Sequence, residues 1–244
     1  QMRLLGFSSR TAKEIMRDPL NIAFGLGFPI VLLLLLSAIQ ANVPVSLFEL
    51  SNLTPGITVF GLSFMTLFSA TLISKDRESA FFWRLCATPL TACDFVLGYA
   101  LPILPIAVLQ SVVCYAAAIA LGLKFTVTVI YAVLFIVPVS VLFISAGLLC
   151  GSIFGVKQVG GICGALLTNL TAWLSGTWFD LELVGGTFKK VAYALPFVHC
   201  VELERAALNG NFGKIPYHLL YVLIYTAVIS SASVAVFLFK MKKR

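Results

Sequence analysis

KDRESAFFWRLCATP, residues 75–89, is the densest charged segment between two long apolar runs of the chain. The run 53–73 precedes it and the run 95–121 follows it, and neither carries an ionised side chain in its interior. Each is long enough to cross a bilayer, which takes about 20 helical residues. Lys75, Asp76, Arg77 and Glu78 come first, then the apolar Ala80, Phe81, Phe82 and Trp83, then Arg84 and the Thr88-Pro89 break. This pattern predicts a short amphipathic helix on a membrane surface, with charges toward water and rings toward lipid or neighbouring spans. A segment of that kind serves as a handle for a soluble partner. A solvated turn carrying interfacial aromatic residues fits the same residues equally well.

Composition sets the class. Of 244 residues, 60% are hydrophobic and 11% charged, less than half the charged share of an average soluble domain. Such a chain cannot cover its apolar surface in water, so the sequence predicts a polytopic membrane protein. The leading Gln is expected to reflect a trimmed start, and no cleavable signal peptide is read, because no small-residue cleavage site follows the first apolar run. The six cysteines form no C-x-x-C pair and the two histidines lie at no zinc-site spacing, so no metal is expected. Most of the cysteines fall in apolar spans, where reduced thiols are the default. Cys200 alone is expected outside, where a cross-chain disulfide is an alternative.

In chain order, residues 1–19 hold Arg3, Arg10, Lys13 and Arg17 among Leu4, Leu5, Phe7, Ala12, Ile15 and Met16, which predicts an amphipathic surface helix. Spans are predicted at 20–39, 53–73, 95–121, 127–154, 158–178 and 217–239. Pro29 predicts a kink in the first. Phe60, Phe64 and Phe68 share one face of the second, where neighbour or lipid packing is the favoured reading. Gly147, Gly151 and Gly155 permit close helix approach in the fourth. Residues 180–216 mix charges with apolar pieces around 191–195 and 197–208, punctuated by Gly185-Gly186 and Asn209-Gly210, and are read as two short outer helices dipping into the membrane. The expected fold is therefore all-α, with six transmembrane helices, a surface helix, a helix at 75–89 and a re-entrant segment before the last span.

Six spans put both termini on one side. Assigning that side to the cytoplasm places 12 of the 17 basic residues inside, while the ten acids divide evenly. This obeys the positive-inside rule. The net charge of +7 then reflects orientation and anionic lipid, with no nucleic acid required. No Asp, Glu, Lys or Arg lies deep in a span, although ion-driven transporters place such groups there. Gly151 to Lys157 has the wrong spacing for a phosphate-binding loop, and Gly61-Leu62-Ser63-Phe64 lacks the second glycine of a nucleophile turn. No catalytic residue and no cofactor is expected in the chain itself. If the protein moves a solute uphill, another chain must supply the energy.

Arg17-Asp18-Pro19 with Pro29, then Lys75-Asp76-Arg77-Glu78 through Arg84-Leu85 and Thr88-Pro89, then Ser175-Gly176, Leu195-Pro196, Glu202 and Arg205-Ala206 occur in that order. Together they resemble the membrane subunit of ABC-2-type exporters, related in fold to the ABCG transporters. Ser79-Ala80 stands where that family often has glycine, and Asp180 where it has proline. The resemblance implies a dimer of permeases, homo- or heteromeric, in a bacterial plasma membrane, bound to two ABC ATPase subunits that carry ATP and magnesium. It implies that 75–89 is the coupling helix, with Lys75, Asp76, Arg77, Glu78 and Arg84 as ATPase contacts and Lys13 and Arg17 as a second contact. It further implies that Phe64, Phe68, Asn169 and Trp173 line a pathway for a drug-like, lipid-linked or peptide cargo, as in multidrug export. An uncoupled channel or a membrane scaffold is the alternative.

Overall fold

A computed structural model describes residues 2–42, 48–79 and 92–242. Every extended element among them is helical. In chain order these are α1 (Met2–Met16), α2 (Pro19–Asn42), α3 (Leu50–Glu78), α4 (Ala92–Ala120), α5 (Val127–Ile153), α6 (Val156–Val159), a π-helical stretch (Gly160–Leu167), α7 (Thr168–Leu174), α8 (Leu181–Val184), α9 (Gly186–Ala194), α10 (Pro196–Leu208) and α11 (Ile215–Lys242). Among the described residues, five helices are long and apolar enough to cross a membrane: Ile22–Asn42, Leu50–Glu78, Val96–Ala120, Val127–Ile153 and Ile215–Phe239.

The bundle is organised around α3. Of its most apolar stretch 83% is buried, against 22% for α2 and 17% for α11. Its main neighbour is α5, and it also meets α2, α4, α10 and the π-helical stretch. The sequence of α3 explains this position. Thr54, Thr58, Ser63, Thr66, Ser69 and Ser74 are small, and all are buried. Small residues let backbones approach, and their hydroxyls find carbonyl partners inside the bundle. Thr58 donates to Thr54 O at 2.8 Å within the helix, while Thr66 donates to Phe143 O of α5 at 2.9 Å. On the facing side of α5, a Cβ at Gly147 would lie 1.9 Å from Ser69 Oγ and 2.3 Å from Thr66 O. The glycine spacing read in the sequence thus marks the crossing of α3 and α5.

Three expected boundaries change. The second helix does not stop at residue 73: it runs through Lys75, Asp76, Arg77 and Glu78. Those four residues form the last turn of α3 rather than the start of a separate surface helix. The reason is tertiary, because the charges of this turn have partners on elements distant in sequence and the helix gains by continuing. Arg84 and the rest of the expected 75–89 helix lie outside the described residues from position 80 on. The helix expected at 158–178 instead runs from Val156 to Leu174 in three pieces, about 28 Å at about 1.5 Å per residue. It ends early because Gly176 adopts φ +69°, a conformation that glycine tolerates and a helix does not. The Ser175 and Thr177 hydroxyls then bond each other at 2.7 Å. The outer segment holds three helices, α8 to α10, where two were expected. Cys200 sits in α10 and is fully buried, so a cross-chain disulfide has no exposed thiol there.

Candidate functional site

Two places in the bundle bring chemistry-bearing side chains together. The first is the charged end of α3. Arg10 of α1 donates two hydrogen bonds to Asp76, at 2.6 and 2.8 Å, and pairs with Glu14 at 2.9 Å. Tyr99 of α4 donates to the same Asp76 carboxylate at 2.5 Å. Asp76 is only 4% exposed, so three helices close over one carboxylate. The fork-to-fork geometry of a guanidinium on a carboxylate gives the pair directional strength. Burial and the Asp76 charge push the Glu14 carboxyl above its usual range, and the Asp76 hydrogen bond raises Arg10 further. Beneath this pair, α1 packs Phe7 against the Tyr99 ring at 4.9 Å, edge to face. The Arg10–Asp76 ion pair and the Phe7–Tyr99 contact thus fasten α1 to the bundle, with Ile15 of α1 also buried in the core.

The next residue of α3 performs a second fastening. Arg77 donates to the carbonyls of Gly151 at 2.8 Å and Phe154 at 3.2 Å, and to that of Ser152. These are carbonyls at the C-terminal end of α5, where a helix leaves acceptors unfilled and a cation is favoured. Glu78 accepts the Val156 N–H at 3.0 Å, at the start of α6, where an anion is favoured. Residues 76, 77 and 78 thus bind α1, the end of α5 and the start of α6 in turn. Lys75 is exposed and stands 3.9 Å from Asp18. Lys13 and Arg17 are also exposed, on the outer side of α1 beside Gly6, Ser9 and Glu14.

The second place is an apolar groove of about 340 Å³ between α2, α3 and the stretch around α7. Phe28, Phe60, Asn169, Trp173, Trp178 and Phe179 are among its lining residues. Trp173 is 60% exposed, and its ring meets Phe179 at 6.1 Å. Asn169 is exposed and donates to Ala165 O at 2.9 Å, so it serves its own helix while facing the groove. The four residues expected along a pathway do not all gather here. Phe64 is half-buried, with its ring against Phe28 and Phe60. Phe68 is 7% exposed and packs beside Gly25 of α2, inside the core. Phe60, one turn earlier on the same face, takes the groove position instead.

Sequence reading missed Arg10 and Tyr99 as partners of Asp76. The Arg10 to Glu14 spacing was visible as an i,i+4 pair, but nothing local linked either residue to position 76. It also missed the Glu204–Tyr115 hydrogen bond, 3.1 Å, and the His199–His218 contact, 3.0 Å. Both join residues brought together only by the docking of α10. A model of the family described as ABC-2 type transporter matches residues 4–209, from α1 to the end of α10. No curated protein matches the chain.

Proposed function

We propose, since this chain belongs to the ABC-2 type transporter family and is a membrane subunit of an ABC transporter, that it exports an amphipathic cargo with energy from separate ATPase chains. In this reading two permeases, identical or related, stand together in a bacterial plasma membrane on two ATPases. The cargo is drug-like, lipid-linked or a peptide, in keeping with the apolar lining of the groove at Phe60 and Trp173. The run Val156–Leu174 completes six spans, with both termini in the cytoplasm.

The observation that carries the reading is the triple fastening at Asp76, Arg77 and Glu78. A push on the cytoplasmic end of α3 reaches α1, α4, α5 and α6 through named hydrogen bonds, and α3 is the helix that most of the bundle touches. ATP binding then shifts the permease between two states through differential contacts at that end. Asp76 and Arg77 are occupied within the chain and act as positioning residues. Lys13, Arg17, Lys75 and Glu78 remain exposed to meet an ATPase.

Co-purification tests this. Glu78→Lys reverses a charge at the proposed docking surface and removes an acceptor from the α6 start. It is expected to lower ATPase recovery at least tenfold while the permease still inserts in the membrane. Full recovery with normal transport removes the docking role. Orientation is tested by labelling: Lys190→Cys is expected to react with an impermeant thiol reagent from outside, and Lys157→Cys only after the membrane is opened. The reverse pattern inverts the topology.

A further inference from the structure

At the end of the bundle away from Asp76, α10 carries a second buried acid. Glu204 is fully buried. Its Oε2 accepts the Tyr115 O–H of α4 at 3.1 Å, and its Oε1 has no hydrogen-bond partner among the described residues. Ser111, one turn from Tyr115 on the same face of α4, is likewise buried with an unpartnered hydroxyl.

Among the described residues, the groups around this carboxyl supply no compensating charge. On α10 itself, Arg205 points elsewhere, donating to Glu202 at 2.9 Å, to Asn52 O at 3.2 Å and to Gly176 O at 3.0 Å. Cys200, one turn earlier, is a buried thiol. From α3 nothing titratable occurs between Leu50 and Ser74. From α4 the neighbours are a phenol, Tyr115, and a thiol, Cys114, whose ordinary pKa values leave both neutral at physiological pH. On α5 the ring of Tyr131 pairs with Phe212, and Cys150 lies in the last turn, at the other end of the helix. On α11, His218 turns to His199, and on α9, Lys189 turns to Glu182 while Lys190 is exposed. A carboxylate stripped of water with no cation beside it is strongly disfavoured against the neutral acid.

We infer that Glu204 is a proton-binding site: its carboxyl is held as the neutral acid between α4 and α10, and it ionises when those helices part. That the parting opens the outer side of the permease rests on the transporter reading above. The protonation does not. Burial pushes the Glu204 carboxyl well up, and the Tyr115 hydrogen bond opposes this as the smaller effect. The packed arrangement therefore binds a proton that the parted one releases. Packing is favoured at low pH and loses ground as pH rises above the ordinary carboxyl value of about 4.3. Alkaline conditions outside favour opening.

Infrared spectroscopy of the full chain in lipid nanodiscs reads the site directly, as the neutral-carboxyl C=O band present in the wild type and absent in Glu204→Gln. Glutamine is neutral and nearly isosteric, so the packing is kept. At about pH 7 the difference band is expected to hold more than half of its area at acid pH. A carboxyl with an ordinary pKa would retain less than about 1% there. A band below half its acid-pH area overturns the inference. Tyr115→Phe removes the donated hydrogen bond but leaves the acid, and is expected to shift the band to higher frequency and its loss to higher pH. An unshifted band shows that Tyr115 does not bond this carboxyl, and it overturns the geometry on which the inference rests. The band with no ATPase recovered would count against the exporter reading alone. ATPase recovery without the band would count against this site alone.

Discussion

Replacing Gly147 with leucine is expected to abolish the folded permease. The argument is steric and leaves little room for relief. The first side-chain atom at this position would meet Ser69 Oγ at 1.9 Å and the Thr66 carbonyl oxygen at 2.3 Å. A side chain can turn away, but the Thr66 carbonyl belongs to the backbone of the most buried helix in the bundle. The α3–α5 crossing must then open, and it takes the Thr66 bond to Phe143 O and the Ser69 bond to Ile144 O with it. Overpacking in a dense core costs about 1–3 kcal/mol, and more where the backbone must shift. Lost hydrogen bonds in an apolar interior add about 1 kcal/mol each. Size-exclusion of the detergent-solubilised protein should show near-complete loss of the monodisperse peak. Gly160→Leu is the matched control, since a Cβ there meets nothing within 4 Å, and it should elute as the wild type does.

Asp76→Ala is expected to release α1 from the bundle while leaving the spans assembled. Removing the carboxylate leaves Arg10 without its two short hydrogen bonds and Tyr99 without its acceptor. Arg10 is partly exposed and recovers some hydration, so the cost is about 2–3 kcal/mol, below the full value for a wholly buried pair. That corresponds to an increase of about 30- to 150-fold in the opening of α1. Hydrogen–deuterium exchange over Met2–Met16 should rise by this factor, with exchange in α3 and α5 unchanged. If ATP drives the permease through the end of α3, transport should fall more than ATPase recovery does, because the proposed docking side chains Lys13 and Arg17 remain present on a detached helix. Unchanged exchange in α1 would show that the buried side chains of Phe7 and Ile15 are sufficient to hold it.

Much of the architecture was readable from composition and run length. A bilayer demands long apolar helices, and 60% hydrophobic content with almost no interior charge leaves no other solution. The glycine series at 147, 151 and 155 announced a close crossing, though not its partner. The end of α3 was misread because charge after an apolar run normally marks an interface. Here Asp76 and Arg77 are enclosed by elements 66 and about 75 positions away in sequence, and no local pattern encodes such pairing. The early stop of the helix after Leu174 had a visible cause in Gly176, but a glycine within a span is common and does not declare its φ angle. Phe64 and Phe68 were expected on a pathway from the family resemblance, which points to the second span but does not say how deep along the helix the groove lies. Glu204 stands between the apolar Leu203 and Ala206 with only Arg205 beside it, and nothing local links it to Tyr115, 89 positions away.

The central claim is that the motor lies in a different polypeptide and acts on the end of α3. Reconstitution tests it most directly: the chain is placed in sealed vesicles alone, and in parallel with any ATPase recovered by co-purification, and uptake of an amphipathic dye into inverted vesicles is followed with and without ATP. The account predicts ATP-dependent uptake only when both are present, and its loss in Asp76→Ala. Uptake against a gradient by the chain alone, with no nucleotide hydrolysed, would contradict it.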